Sequence, residues 1–112
     1  MPPLRDANTI ERIREALMYW HNDGVFCLRR PTEDIDRYLD GYELGGVVEE
    51  MLKFIDGGGE INVAEDRTEF RSASSPYHYE FRMPIAGKNI YIETILSEAK
   101  RGPVLTIVSL HP

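Results

Sequence analysis

The sequence predicts an α+β domain in which N-terminal helices pack on a C-terminal, curved antiparallel sheet. Two observations carry this expectation. Up to the glycine triplet at 57–59 the apolar residues recur at helical spacing, and from Glu60 onward they alternate with polar ones. The last three alternating segments are joined by short, turn-rich stretches, which makes a meander the simplest topology.

The first helix is expected over 9–22, with Asn8 as its cap, Glu11 as the capping-box partner and Gly24 as its stop. Ile10, Ile13, Leu17 and Trp20 form its apolar stripe, so Trp20 reads as core. Val25 to Leu28 is long enough for one strand, closed by Arg29-Arg30-Pro31. Thr32 caps a second helix over 33–40, with Ile35, Tyr38 and Leu39 inward and Gly41 as stop. A third helix begins near Glu43 or Gly46 and runs to 56, burying Val47, Val48, Met51, Leu52 and Ile55. The glycine triplet ends it. It lacks the Lys-Ser/Thr of a phosphate loop and follows a helix instead of opening one. Short strands are expected at 61–64 and 68–72, and longer ones at 77–84, 90–97 and 104–110.

Composition bounds the function. A chain of 112 residues with 42% hydrophobic side chains builds one core, so a single domain over 1–112 is expected. No apolar run approaches the roughly 20 residues that span a bilayer, and the opening MPPLRD lacks the apolar stretch of a secretory signal. No membrane role is expected. Cys27 is the only cysteine, which excludes an internal disulfide and a cysteine-rich zinc site and makes a cytoplasmic setting the default. His21 and His111 have no spaced partner, so no metal or cofactor is expected. The net charge of −6 is unevenly spread. Residues 1–66 carry 7 basic and 15 acidic side chains, and residues 67–112 carry 6 and 4. That balance argues against nonspecific nucleic-acid binding but leaves room for a basic surface on the sheet. Arg71, Arg82 and Lys88 are expected on one sheet surface, away from the acidic helices.

Strand parity sorts the chemistry. Tyr77, Tyr79, Phe81 and Met83 share one face; His78, Glu80 and Arg82 share the other. Tyr91 and Glu93 can join the second set, with His111 beside them and Arg71 reaching in from the preceding segment. These are the groups RNA cleavage requires. His78, Glu80, Glu93 or Tyr91 can move the protons of the 2′-hydroxyl and the leaving oxygen, and Arg71 or Arg82 can hold the phosphate. The plain alternative is a set of cross-strand polar pairs on a wet face. Tyr79 reads as core, while Tyr77 fits either core or base stacking.

The order of elements, with "GYELGGVVEEMLKFIDGG" before a curved sheet, resembles the RelE-like toxin superfamily. "PYHYEFRMPIAGKNIYIE" followed by "LTIVSLH" is most similar to the motility quorum-sensing regulator type of mRNA interferase, and "EFRSA" at 69–73 resembles that family's preceding basic strand. The specific part of the likeness covers the last forty-five residues or so. The resemblance implies a metal-independent endoribonuclease with a protein antitoxin. By position it places Arg71 and His111 at phosphate-binding sites and His78 and Tyr91 at catalytic ones; joined to the reading from parity and charge, the expected catalytic set is His78, Tyr91 and Arg82, and the expected RNA phosphate set is Arg71, Lys88 and His111. Tyr91 alone keeps the family's identity; Arg71 and His111 stand for lysines and His78 for an amide. The expectation from another class is a non-catalytic interaction or immunity-type module, using the acidic helical half against a basic protein.

Overall fold

The computed structural model describes residues 2–65 and 77–112. Asp6 is the residue that starts the first helix. Its carboxylate accepts from the Asn8 N–H at 3.3 Å and from the Thr9 hydroxyl at 2.6 Å, satisfying donors that the first helical turn leaves open. Helix α1 therefore spans Ala7–Met18, with Asn8 inside it instead of capping it. It also stops earlier than its apolar stripe suggests. Trp20–Asn22 is a single 3-10 turn, Asp23 adopts a left-handed φ of 65°, and Gly24 turns back beneath the helix. A side chain at Gly24 would run into the Ala16 and Tyr19 carbonyls, so the close return needs glycine.

Strand β1 is Val25–Cys27, and helix α2 follows at once as Arg29–Tyr38. The expected start at Thr32 is corrected here. Pro31 sits in the third helical position, where an N–H would have no partner anyway. The first intrahelical bond runs from the Thr32 N–H to the Leu28 carbonyl at 3.1 Å. Helix α3 is Leu44–Asp56, with Val47, Val48 and Met51 buried.

Among the described residues five strands form one sheet in the order β1-β5-β4-β3-β2. Strands β2 (Ile61–Glu65), β3 (Tyr77–Ile85), β4 (Lys88–Ala99) and β5 (Gly102–His111) are mutually antiparallel neighbours, as the meander predicts. The strand expected at 68–72 lies outside the described residues. The sheet is mixed, because β1 pairs with β5 in parallel, Val25 against Leu105 and Cys27 against Ile107. A three-residue apolar run carries no mark of a partner some 80 positions away. Among the described residues no helix is long and apolar enough to cross a membrane.

The helices cover one face. Phe81, Ile92 and Leu110 face one another across β3, β4 and β5 and are fully buried with Ile13, Leu17 and Met51. Tyr79 joins this core at 8% exposure, Trp20 packs against it, and Tyr77 stays exposed. The β3–β4 turn places Ala86 at φ 53° and Gly87 at φ 78°, the paired positive angles of a tight hairpin. Alanine is strained there and asparagine is not. Ala86→Asn is expected to raise stability by about 0.5–1 kcal/mol, read as a higher urea midpoint at unchanged slope.

Alternation breaks once. Glu93 pairs with Ser109, but Thr94 pairs with Ile107, leaving Val108 as an extra residue in β5. This bulge reverses the facing of everything after it.

Candidate functional site on the open sheet face

Directly paired residues share a face, so the register assembles the site. Arg82 on β3 faces Tyr91 on β4, which faces His111 on β5. Beside this row, Glu80 faces Glu93 and Glu93 faces Ser109. Both rows lie on the face turned from the helices. His111 belongs to it because of the bulge: strict alternation from Leu105 and Ile107 would send His111 toward the core and Leu110 to water.

Glu80 is the centre, at 2% exposure. Its Oε2 accepts from the Tyr91 hydroxyl at 2.7 Å and from His78 Nε2 at 3.1 Å. The imidazole donates here because an ionised carboxylate can only accept. The other ring nitrogen, Nδ1, is buried without a hydrogen bond and lies 3.9 Å from Glu93 Oε2. Glu80 Oε1 is likewise buried and unpartnered. Two carboxylates opposed across a strand pair repel, and the His78 ring between them offsets part of that cost. The expected wet face is thus dry at its middle, and only its rim is open.

Tyr91 holds its proton tightly. Burial, the hydrogen bond to Glu80 and the negative charges of Glu80 and Glu93 push its phenol above the ordinary value of 10, and Arg82 only partly opposes them. The Arg82 guanidinium lies 5.0 Å from the Tyr91 ring centre, and the His111 ring is 4.9 Å away at a 32° tilt. Tyr91 is therefore a donor at neutral pH and does not act as a base. Since the folded state favours the neutral phenol, the stability this adds is complete below pH 10 and is lost as pH rises through the raised value. Burial also raises the Tyr79 phenol, so alkaline ultraviolet titration should show both phenols ionising later in the native protein than in urea, and Tyr91→Phe should remove the later of the two.

A cavity of about 690 Å³ opens over the two rows, lined by Glu80, Arg82, Tyr91, Glu93, Ser109 and His111 among others. His78 does not line it; it stands behind Glu80. Lys88 is elsewhere. Its Nζ donates to the Tyr38 carbonyl at 2.6 Å, closing the C-terminal end of α2, where the helix dipole favours a cation. The expected cluster of Arg82 with Lys88 does not form. Arg71 lies outside the described residues. No group of three His, Cys, Asp or Glu that could hold a metal ion occurs among the described residues. A second cavity, about 620 Å³, separates the end of α1 from the β4–β5 turn and contains no histidine.

Strand parity put His78, Glu80 and Arg82 on one face, as the strand register does, but gave no order among them. Parity places Glu80 between His78 and Arg82, yet nothing in the sequence marks it as buried. Ser109 gave no signal at all. Comparison with family models, curated proteins and solved structures finds no match for this chain.

Proposed function

We propose that the open-face cavity is a general acid–base site and that the chain is a metal-independent endoribonuclease of the RelE-like kind, acting on single-stranded RNA. The observation that supports it is one cavity holding two carboxylates, an imidazole and a guanidinium around a phenol that keeps its proton. Attack by a ribose 2′-hydroxyl on the adjoining phosphorus breaks the bond to the 5′-oxygen and leaves a cyclic phosphate. Glu93 takes the 2′-hydroxyl proton, and His111, the exposed imidazole of the row, protonates the leaving oxygen. Arg82 sits beside both and balances the growing phosphate charge. Glu80 positions Tyr91 at the floor of the cavity and His78 holds Glu80 from behind; neither touches RNA. An antitoxin would be a protein that covers this face.

The interaction module is the second reading, favoured by a specific observation: the cavity wall carries two carboxylates against one guanidinium, a balance that repels phosphate. Incubating the purified chain with a single-stranded RNA in the presence of a chelator separates the two. Cleavage leaving 2′,3′-cyclic ends, abolished by a 2′-deoxy substitution at the cut position, is the expected result. An intact RNA, together with normal growth on induced expression, transfers the reading to the interaction module.

A further inference from the structure

The two edges of the sheet are treated differently. The outer edge of β2 is covered by the chain's own start: the Leu4 N–H bonds the Ile61 carbonyl at 2.6 Å and the Val63 N–H bonds the Pro2 carbonyl at 2.9 Å. Among the described residues the outer edge of β1 has no such cover. The Leu105 N–H to Gly24 carbonyl bond and the Leu28 N–H to Ile107 carbonyl bond fix the phase of the parallel ladder. Gly24, Phe26 and Leu28 turn their peptide groups to β5, so Val25 and Cys27 turn theirs outward. Among the described residues none of these four outward groups has a backbone partner. Pro31, four residues beyond Cys27, has no N–H to offer its carbonyl. Around this edge stand Phe26 at 59% exposure, Tyr19 at 54% and Leu28 at 39%, an uncommon grouping for a bare surface.

We propose that β1 pairs antiparallel with β1 of a second copy of this chain, about a two-fold axis at Phe26, joining two sheets into one. The argument is self-complementarity, which a two-fold interface demands. In that register Val25 meets Cys27 of the other copy and exchanges both of its hydrogen bonds. The same happens on the other side of the axis, so all four orphan groups on each edge are satisfied with none left over. Phe26 meets its own counterpart as a close, non-hydrogen-bonded pair on the open face. The charges fit as well. Residues equidistant from Phe26 oppose each other, so the Arg29 end of one copy approaches the Asp23 end of the other. Both side chains are free to respond, at 94% and 89% exposure, with Arg29 held only by an exposed Glu33 pair at 3.1 Å and Asp23 only by Arg101 at 4.0 Å. A foreign strand would have to supply both the odd-numbered register and the opposite charge at each end; a second copy supplies them by symmetry. Three paired residues are a small contact compared with the roughly 1,200 Å² of a stable complex, so the dimer is concentration-dependent.

Sedimentation of the full chain from about 5 to about 500 µM tests this, over the range where weak dimers assemble. The expected result is a monomer at the low end and a dimer at the high end. Arg29→Asp and Asp23→Arg should each weaken association about three- to tenfold, as exposed ion pairs do, and the double variant should restore it. Arg29→Asp places an acid at the start of α2, which the helix tolerates well. A second measurement does not depend on these charges. Phe26→Cys in a Cys27→Ser background should give a disulfide-linked dimer on mild oxidation, because the two positions 26 face each other on the axis. A chain that stays monomeric throughout, or that dimerises without response to either charge variant and without cross-linking, overturns the proposal and leaves β1 to another protein's strand.

Discussion

His111→Ala is expected to lower RNA cleavage by about 10²- to 10⁴-fold, the usual cost of losing one general acid, and to leave the fold unchanged. The side chain is exposed, its Nδ1 reaches only the neighbouring Pro112 carbonyl at 3.0 Å, and its ring rests against Tyr91. Surface changes of this kind move stability by less than about 0.5 kcal/mol. His78 should behave differently. Its ring is 15% exposed and bonds Glu80, so His78→Ala deprives a buried carboxylate of a donor at a cost of about 1–3 kcal/mol. His78→Gln retains an N–H for Glu80 and should recover most of that stability. It should also recover most of the activity, because a positioning residue needs the hydrogen bond but not the proton. Measuring cleavage and urea midpoints for the three variants separates the roles. A dead but stable His78→Gln would make His78 the proton carrier and demote His111.

Phe81→Ala is expected to cost about 3–5 kcal/mol, a large share of the roughly 5–15 kcal/mol that holds a domain together. Phe81 is fully buried in interior strand β3, facing Ile92 and Ile61 across the ladders, with the Phe54 ring of α3 at 6.3 Å. Removing it opens a void between the sheet and the helix that neither can close. Urea unfolding followed by circular dichroism should show the midpoint falling steeply. A drop below about 1 kcal/mol would mean that α3 collapses onto the sheet and refills the space.

What the sequence revealed depends on how local each cause is. Helix α3 was legible because Val47, Val48 and Met51 are core at helical spacing and Gly57 follows directly. The β3–β4 hairpin was legible because Ala86-Gly87 sits between two alternating runs. Helix starts were shifted because several residues can cap: Asp6 competes with Asn8, and Pro31 tolerates a start before Thr32. The partner of β1 was hidden because parallel pairing is decided by where the helices pack. Lys88 drew attention as a charge near a turn, whereas the end of α2 determines its place. The same limit applies to the site. Face membership is a two-residue rule and was readable, but the burial of Glu80 is set by Tyr91, His78 and Glu93 together, on two strands.

The extra residue Val108 shows that the functional face depends on the number of residues in β5 as well as their identity. Every side chain from Ser109 to His111 takes its orientation from that single insertion. Removing Val108 would set Ser109 directly after Ile107 and restore regular alternation, with Leu110 still in the core and His111 still in the row. A one-codon deletion of Val108 should therefore leave standing the row that runs from Arg82 through Tyr91 to His111, whereas forcing the full-length strand flat would turn His111 inward and take that row apart.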